Sequence, residues 1–261
     1  MNNVNKTLYI PLYGKAYVSK KGILLNDKKA EEIWEKESFA LKGKSKSKWL
    51  AYYMGMRSAI FDSWASEKAK EMSDAVILHI GCGMDSRAMR IGSYINTWYD
   101  VDFPEVIAER KRYYTESESY KMLDGDARDC VWLESIPARK KAIVILEGVS
   151  MYLSLEELQM LFKNLCDRFT DVAILVDCYT VLAAKMSKYK NPINDVGVTQ
   201  VYGIDDPIQL SNEKLAFVKE HEMTPDNLIN ELEGLEKRIF KKLYAGSFAK
   251  KLYKMYEYKK Q

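Results

Sequence analysis

Apolar residues along this chain fall into two kinds of pattern. Short continuous runs, Val76-Ile77-Leu78-His79-Ile80, Ala142-Ile143-Val144-Ile145-Leu146 and Val172 to Val176, have the length and composition of strands buried on both faces. Elsewhere the apolar positions return at helical spacing. Two examples are Trp49, Tyr53, Met56, Ile60 and Trp64 in a stretch running to Met72, and Leu158, Leu161, Phe162 and Leu165 behind the capping-box sequence Ser154-Leu155-Glu156-Glu157. Weaker strand patterns occupy Thr97 to Asp102, Tyr120 to Leu123 and Leu215 to His221, and the alternation from Tyr253 to Tyr258 suits a final edge strand. Further helices are expected from Lys28 to Phe39 behind Asp27 as N-cap, from Ser86 to about Gly92, from Pro104 onward, and behind Thr224-Pro225.

Strands that alternate with helices predict an α/β fold built on a mostly parallel, seven-stranded sheet with helices on both faces. One domain is expected over residues 1–261. Its parts are an N-terminal helical cap (1–73), a core (74–178), a loop-like segment after the fifth strand (179–213) and a C-terminal part of the sheet (214–261). The third of these, with Asn191-Pro192-Ile193-Asn194-Asp195-Val196-Gly197 and Gly203-Ile204-Asp205-Asp206-Pro207, reads as a mobile cover over the crevice.

In such a sheet the ligand crevice lies at the carboxyl ends of the strands, and Gly81, Asp102, Asp126, Glu147 and Asp177 all fall on that edge. Acids gathered in one crevice repel unless a ligand or a cation compensates them. The turn Gly81-Cys82-Gly83 lets backbone pass close to a ligand, and Asp85-Ser86 are placed to cap a following helix whose amides face the same crevice. Gly-x-Gly alone is also an ordinary strand-to-helix turn. Asp102 changes the balance, because it lies about 20 residues on, where βαβ nucleotide folds place a carboxylate on ribose hydroxyls. A ribose-bearing cofactor is therefore expected. Arg57, at the edge of its helical stripe, reads by itself as a snorkelling surface arginine.

Composition adds limits. The 261 residues include 40 Lys and Arg against 37 Asp and Glu, a net charge of +3 that points neither to a nucleic-acid scaffold nor to an acidic tail. Four scattered cysteines, Cys82, Cys130, Cys166 and Cys178, and two histidines offer no zinc spacing, so no metal is expected. With no apolar signal core at Met1 to Lys6 and no membrane-length run, the expectation is a soluble cytoplasmic protein with reduced cysteines. The loop Lys42-Gly43-Lys44-Ser45-Lys46-Ser47-Lys48 lacks phosphate-loop spacing and reads as a solvated linker. The tail from Lys237 to Gln261 is lysine-rich, yet Ile239, Phe240, Leu243, Tyr244, Phe248 and Leu252 interleave at helical spacing, as for a helix packed on the sheet with its lysines in water.

Four segments, Gly81-Cys82-Gly83-Met84-Asp85-Ser86-Arg87, Tyr99-Asp100-Val101-Asp102-Phe103-Pro104, Gly125-Asp126-Ala127-Arg128-Asp129 and Glu147-Gly148-Val149-Ser150-Met151-Tyr152-Leu153, resemble successive motifs of the leucine carboxyl methyltransferase family. Thr7 to Ala16 and Arg57 to Asp62 resemble its tetracenomycin-type polyketide O-methyltransferase branch. The resemblance covers most of residues 7–177 and only weakly the C-terminus. Val-Asp-Phe-Pro after a Gly-x-Gly-x-Asp turn is its specific part.

The resemblance implies a class I, Rossmann-like methyltransferase using S-adenosylmethionine, with S-adenosylhomocysteine as product. It places Gly81, Cys82, Gly83 and Asp85 in the cofactor turn, Asp102 with Phe103 at the ribose, Asp126 with Ala127 beside the adenine, and Glu147 with Gly148 near the methionine end. Arg57 and Lys15 would meet the methionine carboxylate. Asp85 stands where a dinucleotide fingerprint has glycine, which disfavours an NAD-dependent oxidoreductase. The expected reaction is O-methylation of a small-molecule carboxylate or hydroxyl, with Tyr152 as an acceptor-side group or, equally, a core tyrosine. A carboxylate acceptor needs no base. Alternatives are methylation of a protein C-terminal carboxylate, methylation of nucleic acid, and a cofactor-binding protein without turnover. The Asn/Asp-Pro-Pro-aromatic turn of base N-methylation is absent at Glu147-Gly148-Val149-Ser150. The expected partner is a small-molecule acceptor, with no nucleic acid and no membrane, for a monomer or homodimer.

Overall fold

Strand β1 (Val76–Ile80) lies between β2 (Trp98–Asp102) and β4 (Lys141–Leu146), and both pairings are parallel. The computed structural model of the protein describes residues 8–37, 46–91, 96–138, 140–190 and 200–261. Strands β3 (Tyr120–Asp124), β5 (Asp171–Tyr179), β6 (Leu215–His221) and β7 (Tyr253–Lys260) complete a seven-stranded sheet of order β3-β2-β1-β4-β5-β7-β6. The first five strands are parallel, and β7 runs antiparallel to both β5 and β6.

Alternate residues of the central strands feed two cores. Leu78, Val144 and Ile174 pack with α6 (Leu155–Arg168) through Leu158, Leu161, Phe162 and Leu165. Ile77, Ile143 and Ile145 pack with α3 (Lys48–Glu71) through Phe61, Trp64 and Ala65. The two-residue period of a strand thus places one helical layer on each face. Ser154 and Glu157 form the reciprocal capping box read from the sequence, and Asp27 Oδ1 accepts the Ala30 N–H at 2.9 Å to cap α2 (Lys28–Glu37). Phe39, where α2 was expected to end, lies outside the described residues, as do residues 42–45 of the basic loop. Ser47 from that loop caps α3 by accepting the Trp49 N–H.

The N-terminal cap opens with a helix, α1 (Tyr9–Lys21), with Pro11 tolerated in its opening turn, where N–H groups have no helical acceptor. Several expectations are corrected. The segment from Arg87 is a single turn, α4 (Arg87–Arg90), and the side chains of Asp85 and Ser86 do not cap it: the Ser86 hydroxyl donates to Asp27 and the Asp85 carboxylate takes Lys15 and Arg90; α5 (Pro104–Arg110) starts at Pro104 as expected. β7 is an interior strand, with Tyr253, Met255, Tyr256 and Tyr258 all buried. The edge position falls to β6, whose bulge between Phe217 and Lys219 and exposed Lys219 and Glu220 suit an unpaired edge. After β5 comes α7 (Val181–Lys190), and residues 191–199 lie outside the described set. Residues 202–210 are tied down rather than looped over the crevice, since the Tyr202 N–H donates to the Met151 carbonyl, the Ile204 N–H donates to the Tyr179 carbonyl and Leu210 is buried.

The tail also packs elsewhere than expected. Phe240 of α9 (Gly234–Leu243) is buried against Val18, Tyr52 and Met56 of α1 and α3, with α8 (Asp226–Ile229) beside it, so the tail helix covers the N-terminal helices and not the sheet. Glu236 holds it there, accepting from Lys21 and Lys48 at 2.7 Å and from the Tyr52 hydroxyl at 2.5 Å. Among the described residues, no helix is long and apolar enough to cross a membrane.

Candidate functional site

A cavity of about 1110 Å³ opens at the carboxyl ends of β1, β2 and β4. The residues given a cofactor or acceptor role from the sequence, from Lys15 on α1 to Tyr152 in the turn after β4, lie on its wall, whereas Asp177, also read as a strand-end acid, is buried behind it. Gly81 begins the turn with φ +67°, and a Cβ there would collide with Cγ2 of Val149. Only glycine therefore lets the β1 turn and the turn after β4 close on one another. Cys82 lines the cavity but belongs to the apolar cluster with Leu12, Met84 and Ile107, and burial pushes its thiol pKa well up.

Asp102 ends β2 with both carboxylate oxygens on backbone amides, Oδ2 from Gly83 at 2.7 Å and Oδ1 from Phe103 at 2.8 Å. Burial raises its pKa to about 6, and the two amides hold the rise in check. Of the four acids read as strand ends, Asp102 alone has no ion pair among the described residues. Asp126 is paired with Arg128, and Asp126 and Ala127 are both half-buried on the cavity wall.

Glu147 and Asp177 belong to a buried ionic network that the sequence did not disclose. Arg57 reaches Glu147 Oε1 at 3.0 Å and Asp177 Oδ2 at 3.3 Å, and Lys15 reaches Asp85 Oδ2 at 2.6 Å and Glu147 Oε1 at 3.5 Å. Arg87 pairs with Glu147, Asp62 and Asp85, and Arg90 with Asp62, Asp85 and Asp27. Burial drives the Glu147 pKa up, but Lys15, Arg87 and Arg57 outweigh it and hold the carboxyl well below the usual range. For Asp177 the balance is reversed, and burial leaves its pKa raised. The crowding of acids at the strand ends is thus relieved largely by the chain's own cations. Arg57 is 4% exposed, which rules out the snorkelling reading.

The network joins five acids, Asp27, Asp62, Asp85, Glu147 and Asp177, to four cations, Lys15, Arg57, Arg87 and Arg90. With every group ionised it carries one excess negative charge, to which Asp102 adds another across the cavity. On the cavity wall itself Asp85, Asp102, Glu105, Asp126 and Glu147 also outnumber Lys15, Arg57 and Arg128, and a ligand with net positive charge is the one such a wall favours. Among the described residues, no group of three or more His, Cys, Asp or Glu side chains is arranged to hold a metal ion.

The same cavity includes an aromatic compartment beside Arg57, walled by Tyr53, Tyr152, Tyr179 and Tyr253, and Met54 and Met186 also line the cavity. The rings of Tyr53 and Tyr253 stack at 6.2 Å, and Tyr179 meets Tyr253 edge-on at 4.8 Å. Leu243 and Phe248, each more than half exposed, stand at the mouth. Tyr53 precedes Arg57 by one helical turn, so a shared face was foreseeable from spacing. Tyr179 and Tyr253 carried no such signal, since they reach the site only through strand pairing.

A profile of the leucine carboxyl methyltransferase family matches residues 7–166. The tetracenomycin polyketide synthesis O-methyltransferase TcmP of Streptomyces glaucescens is 26% identical over 243 residues, covering 92% of this chain and 90% of that one. The S-adenosyl-L-methionine-dependent methyltransferase dpfgK of Gibberella zeae is 27% identical over 150 residues, about half of each chain. Among solved structures, the fold is similar to magnesium protoporphyrin IX methyltransferase (ChlM) from Synechocystis with bound S-adenosylhomocysteine. The TM-score is 0.53 at 10% identity, over 95% of this chain and 97% of that one. A DUF574 family protein from Streptomyces avermitilis gives a TM-score of 0.59 at 9% identity, over 90% of each chain.

Proposed function

The chain belongs to the leucine carboxyl methyltransferase family and is an S-adenosylmethionine-dependent methyltransferase; from that premise we propose that it methylates an oxygen of a small, largely apolar acceptor, a carboxylate or a hydroxyl. The observation that carries this reading is the continuity of one cavity, from the glycine turn and Asp102 through the ionic network into the aromatic compartment. At about 1110 Å³ it exceeds the space usual for one drug-sized ligand, roughly 300–1,000 Å³. Two molecules side by side suit it.

The cofactor fits this wall. S-adenosylmethionine carries an ammonium, a sulfonium and a carboxylate, hence one net positive charge, against the excess negative charge of the network. In the proposed arrangement, Asp102 accepts from the ribose hydroxyls while Gly83 and Phe103 hold its carboxylate still. The backbone at Gly81 and Gly83 approaches the cofactor, Asp126 and Ala127 flank the adenine, Glu147 and Gly148 stand at the methionine end, and Arg57 and Lys15 meet the carboxylate. When bound, the cofactor supplies a methyl group on a sulfonium, open to direct displacement. The aromatic compartment orients the acceptor oxygen and excludes water, which are the contributions such a displacement needs.

The acceptor's ionisation bears on which oxygen is methylated. Among the described residues, His79 is the histidine on the cavity wall, and its ring is held between Asp100 and Arg87, with its pKa lowered by burial. Burial also pushes up the pKa values of Tyr53 and Tyr253. His79 is engaged at both ring nitrogens and the two phenols stay protonated, so none of these groups is placed to act as a base, which favours an acceptor that is already anionic, a carboxylate or an acidic phenol.

The test is transfer of a radiolabelled methyl group from S-adenosylmethionine to a panel of aromatic acids and phenols. Release of labelled methanol in alkali separates esters from ethers. Labelling of a peptide C-terminus or of RNA, with none of the small molecules, would replace this reading.

A further inference from the structure

Arg57 is held on two sides by different parts of the chain. On one side Glu147 Oε1 accepts Nε at 3.2 Å and pairs with Nη2 at 3.0 Å. On the other, the Tyr253 hydroxyl accepts from Nη1 at 3.0 Å and donates its own proton to Asp177 Oδ2 at 2.7 Å, which itself lies 3.3 Å from Nη1. Asp177 is fixed in turn by the Gly148 N–H, which donates to Oδ1 at 2.7 Å. A guanidinium has five N–H donors; here Nε and Nη1 each make a hydrogen bond, while Nη2 meets Glu147 only as an ion pair and keeps a donor for a ligand. The Tyr253 ring cannot drift, because Tyr53 stacks on it and Tyr179 meets it edge-on. Both Tyr253 and Asp177 lie beyond residue 166, outside the stretch matched by the family profile.

We propose that Tyr253 and Asp177 are positioning residues for Arg57, anchoring Nη1 so that the remaining Nη2 donor faces the carboxylate of the bound methyl donor. This rests on the role given to Arg57 above. Without the anchor, the guanidinium is free to pivot about its contacts with Glu147 Oε1 and carry the Nη2 donor away from the ligand. The last third of the chain, through β5 and β7, would then complete a cofactor site otherwise built from the first two thirds.

The test is calorimetric binding of S-adenosylhomocysteine and of its analogue lacking the carboxyl group, to wild type, Tyr253→Phe and Asp177→Asn. Tyr253→Phe keeps the ring in its stack, and thermal unfolding of the ligand-free proteins checks that each variant is folded. Each variant should lose roughly ten- to hundredfold in affinity for S-adenosylhomocysteine, the scale of one hydrogen bond to a charged group, with little change for the analogue. Equal losses for both ligands, or no loss for either, would overturn the positioning role while wild type still prefers the carboxylated ligand. If wild type itself binds the two equally, the Arg57 assignment falls and this proposal with it. Should Tyr253→Phe not fold, Asp177→Asn decides alone.

Discussion

The amide of Gly83 donates to Oδ2 of Asp102 at 2.7 Å, so the turn after β1 and the end of β2 are locked together on the cavity wall. That bond fixes the orientation of the acid and leaves its other lone pairs to a ligand. Replacing Asp102 with alanine should weaken S-adenosylhomocysteine binding by about 1.5–3 kcal/mol, the range for hydrogen bonds to a charged group. Calorimetry measures it, and an unchanged affinity would remove Asp102 from the ribose site.

The raised pKa of Asp102 gives that binding a pH dependence. In the ligand-free protein the carboxyl takes up a proton below about pH 6, whereas the ribose hydroxyls donate to the ionised form. Binding therefore releases a proton in this range. Affinity should be level above pH 6 and fall below it, with a slope approaching roughly tenfold per unit for one linked proton. For stability of the ligand-free fold the sign is opposite. Between the ordinary value of 3.8 and about 6 the native state keeps a proton the unfolded chain has lost, so Asp102 makes stability decline as pH rises through that window. Asp102→Asn should abolish this component of the affinity slope, and a slope unchanged in that variant would assign it to another group.

Arg87 is completely buried between Glu147, Asp62 and Asp85. Arg87→Met should destabilise the protein by about 3–5 kcal/mol, because removing one member of a buried pair strands the others without a counter-charge. Urea unfolding at neutral pH reads the loss directly. A cost below about 1 kcal/mol would mean that water or rearranged cations already satisfy those acids.

If Arg57 meets a ligand carboxylate, Arg57→Lys should bind S-adenosylhomocysteine distinctly less well than wild type, since a point charge cannot hold Glu147, Tyr253 and a ligand in one plane. The loss should be much smaller for the analogue without the carboxyl group. Parallel losses would show that Arg57 serves the network alone.

Much of the lysine in the C-terminal region is already committed. Lys241 pairs with Asp226, Lys250 with Glu222 and Lys254 with Glu220, and the Lys260 ammonium donates to the carbonyls of Cys166 and Phe169. We expect no RNA or DNA binding tighter than about micromolar at physiological salt, and no steep dependence on ionic strength. Filter binding across a salt series checks this. Sub-micromolar binding lost on replacing Lys250, Lys251 and Lys254 with glutamine would reopen the nucleic-acid alternative.

Local patterns made the frame of this protein legible. Runs such as Ala142 to Leu146 can be little else than buried strands, because five consecutive apolar residues leave no polar face for a surface position. Asp27 and Ser154 marked their helix starts through local capping chemistry, and Gly81 marked a turn no side chain would permit. The edge of the sheet that carries Asp102, Asp126, Glu147 and Asp177 followed from strand direction alone. What tertiary structure decided are the relations between residues distant in sequence. The insertion of β7 between β5 and β6 is a matter of pairing, and an alternating strand reads alike at an edge or inside one. Arg87 and Arg90 neutralise acids drawn from the start of α2, from α3 and from the turns after β1 and β4, a role no local pattern marks, because only folding brings those carboxylates within reach. Tyr53, Tyr179 and Tyr253 likewise come from three elements, and no spacing rule connects them until β5 and β7 pair beneath α3.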